Sequence, residues 1–138
     1  MWTASAQPSP LDRLRGLHPY AVREATNKDG PIAWVLVIPT TTEVMKSFLD
    51  GSFSENDILE KTAPGSPFSA IYLCSALVLP EFQRKGIALR LAVEAVDHIR
   101  KDHPITALYS WPFTEGGRRA AEKVAKLCQL PHLLRSRH

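Results

Sequence analysis

The chain has 138 residues and a mass of 15.4 kDa, which is room for one domain with a short tail. Hydrophobic residues make up 44% of it and charged residues 22%, and these shares exclude a disordered chain, a coiled coil and a fibrous repeat. The formal net charge is +3, with six Lys/Arg against eight Asp/Glu in residues 1–69 and eleven against six in residues 70–138. The C-terminal half therefore either attracts an anion, such as nucleic acid or a nucleotide cofactor, or is a solvated basic surface.

Apolar runs, cysteines and histidines narrow the class of protein further. The longest apolar run, residues 70–79, is shorter than the ~20 residues that a bilayer span needs, so we expect no membrane segment. The N-terminus has no basic segment followed by an apolar one, so we expect no secretory signal. We expect Cys74 and Cys128 to be reduced and buried, in a cytoplasmic protein. The five histidines lack ligand spacing, so no metal site is expected.

The first half of the chain predicts a hairpin and two short helices. Residues 1–12 are expected to form a loose N-terminal segment. Residues 20–25 and 32–38 flank an Asp-Gly step that favours a tight reversal, and Pro39 is expected to end the second strand. A helix is predicted from residues 40–43 to Gly51. A second, short helix is predicted to follow, with a Ser cap and an Asp three residues on.

The second half predicts strands that alternate with helices. Residues 70–79 are the strongest strand signal, and from Gly86 the apolar spacing changes from 2 to 3.6 residues. A strand over residues 105–110 and a helix over residues 115–128, with Thr114 as its cap, complete the pattern. This alternation predicts an α/β (α+β) architecture, with a mixed sheet and helices on both faces, in a single domain.

The loop between the strand over residues 70–79 and the helix after it has the features of a pyrophosphate site. The first turn of a helix offers unpaired backbone N–H groups and the positive end of the helix dipole. Gly86 removes a side chain where a phosphate would approach the backbone, and Ala88 keeps the next turn open. Arg84, Lys85 and Arg90 add cationic side chains around the same turn.

The segment Gln83-x-x-Gly86-x-Ala88 matches the [Q/R]-x-x-G-x-[G/A] signature of the GNAT acyltransferase superfamily. The chain resembles this family well over residues 70–130 and loosely over residues 20–69. The resemblance implies a mostly antiparallel central sheet with helices on both faces, shortened here at the C-terminus, and acetyl-CoA as cosubstrate.

The resemblance also implies roles for individual residues. The loop amides of residues 83–88 would bind the CoA pyrophosphate, and the end of the central strand would pair with the pantetheine arm. The strand over residues 105–110 would splay from the central strand and admit the thioester between the two. The cofactor-binding candidates are Leu77, Val78, Leu79, Gln83, Arg84, Lys85, Gly86, Ile87 and Ala88.

The chain departs from the family where catalysis is concerned. The branch that acetylates histones has a Glu base eleven residues before the motif, and that position is Tyr72 here. The stretch that carries a Tyr acid in many members, residues 123–126, has none. Tyr72, Tyr109 and Ser75 are the nearest polar side chains on the two strands; each is either catalytic or an ordinary strand residue satisfied in the sheet. Transfer through water, with orientation and oxyanion binding alone, is the other route.

The sequence therefore predicts an N-acetyltransferase that acts on a small-molecule or peptide amine by direct attack. A catalytically silent CoA-binding or regulatory module is the alternative. Only residues 131–138 follow the last helix, where the family usually has two more strands, so a homodimer that supplies the missing wall is a further hypothesis. Nucleic-acid binding is the less favoured third interpretation, and it would use Arg118, Arg119, Lys123, Lys126, Arg135 and Arg137.

Overall fold

Residues 9–135 are described by a computed structural model, in which strands and helices alternate as the sequence predicts. The described elements are five α-helices, five strands and one 3-10 turn over Pro80–Phe82. In chain order they are α1 (Pro10–Leu17), β1 (Val22–Asn27), β2 (Gly30–Thr40), α2 (Thr42–Leu49), α3 (Glu55–Glu60), β3 (Ala70–Val78), α4 (Ile87–Asp102), β4 (Ala107–Ser110), α5 (Glu115–Cys128) and β5 (His132–Leu134).

The five strands form one mixed sheet in the order β1-β2-β3-β4-β5. The pairs β1/β2 and β2/β3 are antiparallel and run along most of their strands. The pairs β3/β4 and β4/β5 are parallel and cover three register positions each. The predicted mixed sheet and the predicted hairpin are therefore confirmed, and the single strand β5 follows the last helix.

Both faces of the sheet are covered at its centre. Ile71, Tyr72, Leu108 and Tyr109 are each at most 1% exposed. Because successive residues of a strand point to opposite faces, helices must cover both sides. Helices α2 and α3 contact the Tyr72 face, since the Phe48 ring lies 5.0 Å from the Tyr72 ring. Helix α4 packs against β1, β2 and β3, and α5 packs beside α4.

Two local features of the sheet differ from a regular ladder. Strand β2 continues through Pro39 to Thr40, whereas the sequence predicted its end at Pro39. The proline is tolerated because β1 pairs with β2 only as far as Leu36, so no strand needs a backbone N–H from position 39 on that side. On β3, a register shift leaves Cys74 without a partner on β2.

The N-terminal region also differs from the prediction. Residues 10–12 belong to the first turn of α1 rather than to a loose segment, while residues 1–8 lie outside the described residues. The Ser9 hydroxyl accepts a hydrogen bond from the Asp12 amide, and Pro10 occupies the first helical position. This Ser-Pro start is a helix signal that the sequence analysis interpreted as a loop.

Both cysteines are free thiols in the described structure. Cys128 is buried as predicted, but Cys74, which lies at the register shift of β3, is only half-buried. Among the described helices, none combines the length and apolar character that crossing a membrane requires.

Phe48 is the residue on which we expect core stability to depend most. Its side chain is fully buried and contacts the rings of Tyr72, Tyr109 and Trp111. Substitution Phe48→Ala should lower the free energy of unfolding by about 3–5 kcal/mol, because it leaves a cavity among these rings. Urea denaturation measures this loss. Phe113→Ala is the control, since Phe113 is 76% exposed, and it should change stability by less than about 0.5 kcal/mol. Equal effects of the two substitutions would contradict the assignment.

Candidate functional site

A cleft of about 870 Å³ opens where β3 and β4 separate. Its size is typical of sites for cofactors and drug-sized ligands. Strand β3, the start of α4, the β4–α5 loop and one side of α5 form its walls. The lining consists of residues 35–37, 72–76, 110–114 and 119–121, with Glu55, Arg84, Gly86, Ala88, Leu89, Ala92, Gly117, Lys123 and Val124.

The edge of β3 that faces the cleft has no strand beside it after Tyr72, within the described residues. The Leu79 amide donates to the Ile32 carbonyl oxygen at 2.9 Å, so this amide is used by the β2 side. Because backbone groups alternate in direction along a strand, Leu77 also turns toward β2 and Val78 and Ala76 turn toward the open side. Of the three strand residues predicted to bind pantetheine, only Val78 is so placed, and Ala76 was missed.

Helix α4 is the one α-helix of residues 9–135 that begins without a side-chain cap. Side chains of Ser9, Thr41, Ser54 and Thr114 cap the other four helices. At Gly86, the residue that precedes α4, φ is 74° and no side chain accepts from the first turn. The amides of residues 87–89 precede the first intrahelical donor and have no acceptor among the described residues. These amides remain available to a ligand.

The loop before α4 has a strained backbone with open space above it. Arg84 has a backbone φ of 65°, a value that residues other than glycine rarely adopt. Gly86 has a left-handed backbone as well. A Cβ atom added at Gly86 would meet no atom within 4 Å, so the space there is open. The Gln83 side-chain amide donates to the Val78 carbonyl oxygen at 3.1 Å and ties this loop to the end of β3.

Three cationic side chains line the cleft, and the sequence analysis linked only one of them to this site. Arg84 lies in the lining as predicted, and Arg119 and Lys123 of α5 join it. Lys85 instead lies over the Phe82 ring at 5.9 Å, and Arg90 is exposed outside the lining. Arg119 and Lys123 were missed because only the packing of α5 beside α4 brings them to the cleft.

A polar cluster lies where β3 meets α3. The Tyr72 hydroxyl donates to Glu55 Oε2 at 2.5 Å. Glu55 is the first residue of α3, whose start is fixed by a capping box between Ser54 and Asp57. Burial, followed by the hydrogen bond and charge of Glu55, raises the pKa of Tyr72 well above its ordinary value. Tyr72 is therefore a phenol at neutral pH and donates a hydrogen bond.

Tyr109 lies behind Tyr72, with the two ring centroids 5.0 Å apart. Its hydroxyl is buried and has no hydrogen-bond partner among the described residues. Burial, and then the nearby Cys74 thiol, raises the pKa of Tyr109, so this group is also a phenol at neutral pH. Ser75, the third candidate catalytic residue, is exposed in the cleft lining.

The far wall of the cleft contains a serine–histidine contact. Ser110 Oγ and His132 Nε2 lie 2.7 Å apart, and this hydrogen bond joins β4 to β5. Burial lowers the pKa of His132; the charge of Glu122 raises it by less, and the charge of Arg118 lowers it further. Nowhere in residues 9–135 are three or more His, Cys, Asp or Glu side chains arranged to hold a metal ion.

Comparison with known proteins assigns no family to the chain. No protein-family model matches it, and no curated protein is significantly similar in sequence. The functional argument therefore rests on the residues and geometry of the cleft.

Cys74 offers a direct test of the cleft environment. Burial, and then the charge of Glu55, raises its pKa to about 11 from 9.0. Because the pKa is about 11 rather than 9.0, the thiolate fraction at neutral pH is about 100-fold lower than that of a free thiol. The thiolate is the form that reacts. We expect iodoacetamide to modify Cys74 slowly at pH 7 and about tenfold faster for each pH unit up to about pH 10. Mass spectrometry of the peptides follows each cysteine.

The urea-unfolded chain provides the control for that experiment, since both cysteines should then react as free thiols. Modification of Cys74 at pH 7 in the folded chain at the rate of the unfolded chain would contradict the raised pKa.

Proposed function

We propose that the protein is an N-acyltransferase of the GNAT type that transfers an acetyl group from acetyl-CoA to an amine. One observation carries this proposal: the uncapped start of α4 and the unpaired edge of β3 meet in the same cleft. The first binds an anion through backbone amides, and the second binds an extended chain through strand-like hydrogen bonds. An acyl-CoA has both parts in one molecule.

The residues of the cleft fit this cosubstrate. The free amides of the first turn of α4, residues 87–89, would hold the pyrophosphate, and the open space above Gly86 leaves room for it. Arg84, Arg119 and Lys123 would pair with the phosphates. The backbone of Ala76 and Val78 would hydrogen-bond the amides of the pantetheine arm. When bound, acetyl-CoA supplies a thioester whose carbonyl carbon the amine attacks.

The match of residues 83–88 to the family signature supports the proposal together with this geometry. In the signature, Gln83 holds the loop against β3 through the Val78 carbonyl, while Gly86 provides the left-handed turn into α4. The order strand, loop, helix, strand over residues 70–110 is also the order that the resemblance implies. The predicted homodimer and the predicted cytoplasmic location remain predictions.

The residues of this chain contribute orientation and hydrogen bonds to the reaction. The cleft holds both reactants in one place, which removes much of the entropic barrier to a bimolecular step. An unpaired backbone amide on the open side of β3, at Ala76 or Val78, is suited to stabilise the negative charge that develops on the carbonyl oxygen. Tyr72 and Tyr109 are phenols at neutral pH, so they donate hydrogen bonds rather than accept protons.

Calorimetric titration with acetyl-CoA tests the proposal, with CoA that lacks the 3′-phosphate as the comparison ligand. We expect acetyl-CoA to bind with a Kd on the order of micromolar. The loss of one phosphate should weaken binding about tenfold, because it removes a charge-assisted hydrogen bond to the cleft cations. Release of free thiol with an added amine distinguishes the enzyme from a silent CoA-binding module. No binding to the folded chain at millimolar acetyl-CoA would refute the proposal.

Substitution Gly86→Glu should abolish acetyl-CoA binding and leave the fold intact. The new side chain points into open space, so it places bulk and negative charge at the pyrophosphate site without a clash inside the protein. The positive φ at this position costs about 1 kcal/mol of stability. Calorimetry measures the affinity, and circular dichroism checks the fold.

The matched control for this variant is Gly65→Glu. Gly65 also has a positive φ, and its added Cβ would also meet no atom within 4 Å, but it lies outside the cleft lining. It should show the same strain and wild-type affinity. Wild-type affinity in folded Gly86→Glu would show that the pyrophosphate site is elsewhere.

A further inference from the structure

Ser110 and His132 form a side-chain pair of which the proposed function makes no use. Ser110 Oγ lies 2.7 Å from His132 Nε2. A hydroxyl that hydrogen-bonds to an imidazole nitrogen is the arrangement by which proteins activate serine as a nucleophile. Ser110 is one of the residues that line the cleft, so the pair lies next to the space that a ligand would fill.

The side chain of Ser110 is on the face of the sheet that α4 and α5 cover. Tyr109 is on the opposite face, since its ring lies 5.8 Å from the Phe48 ring of α2. Successive residues of a strand alternate in direction, so Ser110 faces away from α2. The cleft lining on that side includes Ala92 of α4 and Val124 of α5. Ser110 therefore presents a hydroxyl to the part of the cleft that these two helices form.

The contact between the two side chains is not needed to hold β5 in the sheet. Backbone pairing joins β4 and β5 at three register positions. The Leu108 amide donates to the Pro131 carbonyl oxygen at 2.9 Å, and the Arg135 amide donates to the Ser110 carbonyl oxygen at 3.1 Å. Because this ladder is complete without the side chains, the hydroxyl and the imidazole are left for chemistry.

His132 is suited to act as the base of the pair. Burial lowers its pKa, so the ring is neutral at pH 7 and carries one proton. With that proton on Nδ1, the lone pair of Nε2 accepts a hydrogen bond from Ser110 Oγ. No carboxylate of residues 9–135 hydrogen-bonds to Nδ1, so we expect a dyad that reacts more slowly than a Ser-His-Asp triad.

Ser110 lies at the closed end of the gap between β3 and β4. Tyr72 and Tyr109 are the last register pair of these strands, and Ser110 is the next residue of β4. An extended arm that follows the open edge of β3 from Val78 toward Tyr72 ends at this point. In an acyl-CoA bound by its phosphates at the start of α4, that end of the arm carries the thioester.

We propose that Ser110 is a nucleophile activated by His132, which gives the cleft a second activity: hydrolysis of acyl thioesters and activated esters through an acyl-serine. The choice of a CoA thioester as acyl donor rests on the proposed function. The reactivity of Ser110 toward a small electrophile does not, because it depends on the contact with His132 alone.

The reaction takes place in two steps. In the first, the Ser110 Oγ proton moves to His132 Nε2 while Oγ bonds to the acyl carbon. The bond from that carbon to sulfur breaks, and the sulfur takes the proton from His132 and leaves as free thiol. In the second step, water gives a proton to His132 while its oxygen bonds to the acyl carbon. The bond from the carbon to Oγ breaks, Oγ takes this proton, and the acyl group leaves as a carboxylic acid.

Diisopropyl fluorophosphate tests the nucleophile without acetyl-CoA, because it reacts with activated serines and leaves a stable phosphate ester. Peptide mass spectrometry of the full chain should find this ester on Ser110, with fluoride as the leaving group. Ser110→Ala should remove the label. His132→Gln should slow labelling of Ser110 by about 10²- to 10⁴-fold, the range expected for loss of a general base.

Ser69→Ala is the matched control for loss of a serine hydroxyl. Ser69 also forms a side-chain hydrogen bond, to Thr42 at 2.6 Å, but it lies outside the cleft lining. This variant should be labelled on Ser110 at the wild-type rate, and circular dichroism checks the fold of each variant. Absence of label on Ser110 in the folded wild-type chain would overturn the inference, and so would labelling of His132→Gln at the wild-type rate.

Thiol release from acetyl-CoA without any amine tests the hydrolysis. The wild-type chain should release thiol and acetate in equal amounts, and Ser110→Ala should slow this release by at least about 10²-fold at unchanged acetyl-CoA affinity. Release at the wild-type rate in the variant, or none from a wild-type chain that binds acetyl-CoA, would overturn the reaction with thioesters. If acetyl-CoA does not bind at all, the proposed function fails, and the fluorophosphate labelling still decides whether Ser110 is activated.

Discussion

Strands β3 and β4 pair only from Ala70 with Ala107 to Tyr72 with Tyr109. Beyond this point β3 continues to Val78, whereas β4 ends at Ser110, two residues before a proline that cannot donate to a ladder. The register shift at Cys74 bends β3 in the same region. The cleft and the free edge of β3 that faces it follow from this short pairing.

The cleft has opposite charges on different parts of its wall. Arg84, Arg119 and Lys123 lie in the parts formed by the loop before α4 and by α5, and the positive dipole end of α4 adds to them. Glu55 comes from α3. The uneven charge of the sequence, with more acidic than basic residues before position 70 and the reverse after it, thus appears inside one cavity. Such a cavity presents separate regions to the anionic and the cationic groups of a ligand.

The sequence predicts those features that local spacing determines. Gly86 and the apolar spacing after it indicate the start of α4, and Thr114 indicates the start of α5, because caps and glycine turns act within a few residues. The contact between Tyr72 and Glu55 joins residues 17 apart through the packing of α3 on β3, and no local pattern encodes it. Arg119 and Lys123 were assigned to a nucleic-acid surface for the same reason, since their direction depends on how α5 packs. The continuation of β2 through Pro39 depends on where the pairing with β1 begins, at Val22 and Leu36, which is also a tertiary fact.

Several locally unfavourable features lie at or beside this one cleft. An absent helix cap costs about 1 kcal/mol, and a non-glycine residue at positive φ costs about 1–3 kcal/mol. The uncapped start of α4, the left-handed Arg84, the carboxylate of Glu55 and the orphan hydroxyl of Tyr109 are such features. In contrast, the other four described helices are capped by their own side chains. Unfavourable groups that gather at one place are characteristic of a site whose partners come from a ligand. Such a ligand binds the folded chain and not the unfolded one, so its binding raises the free energy of unfolding. Binding therefore offsets the stability that these unfavourable groups cost the free protein.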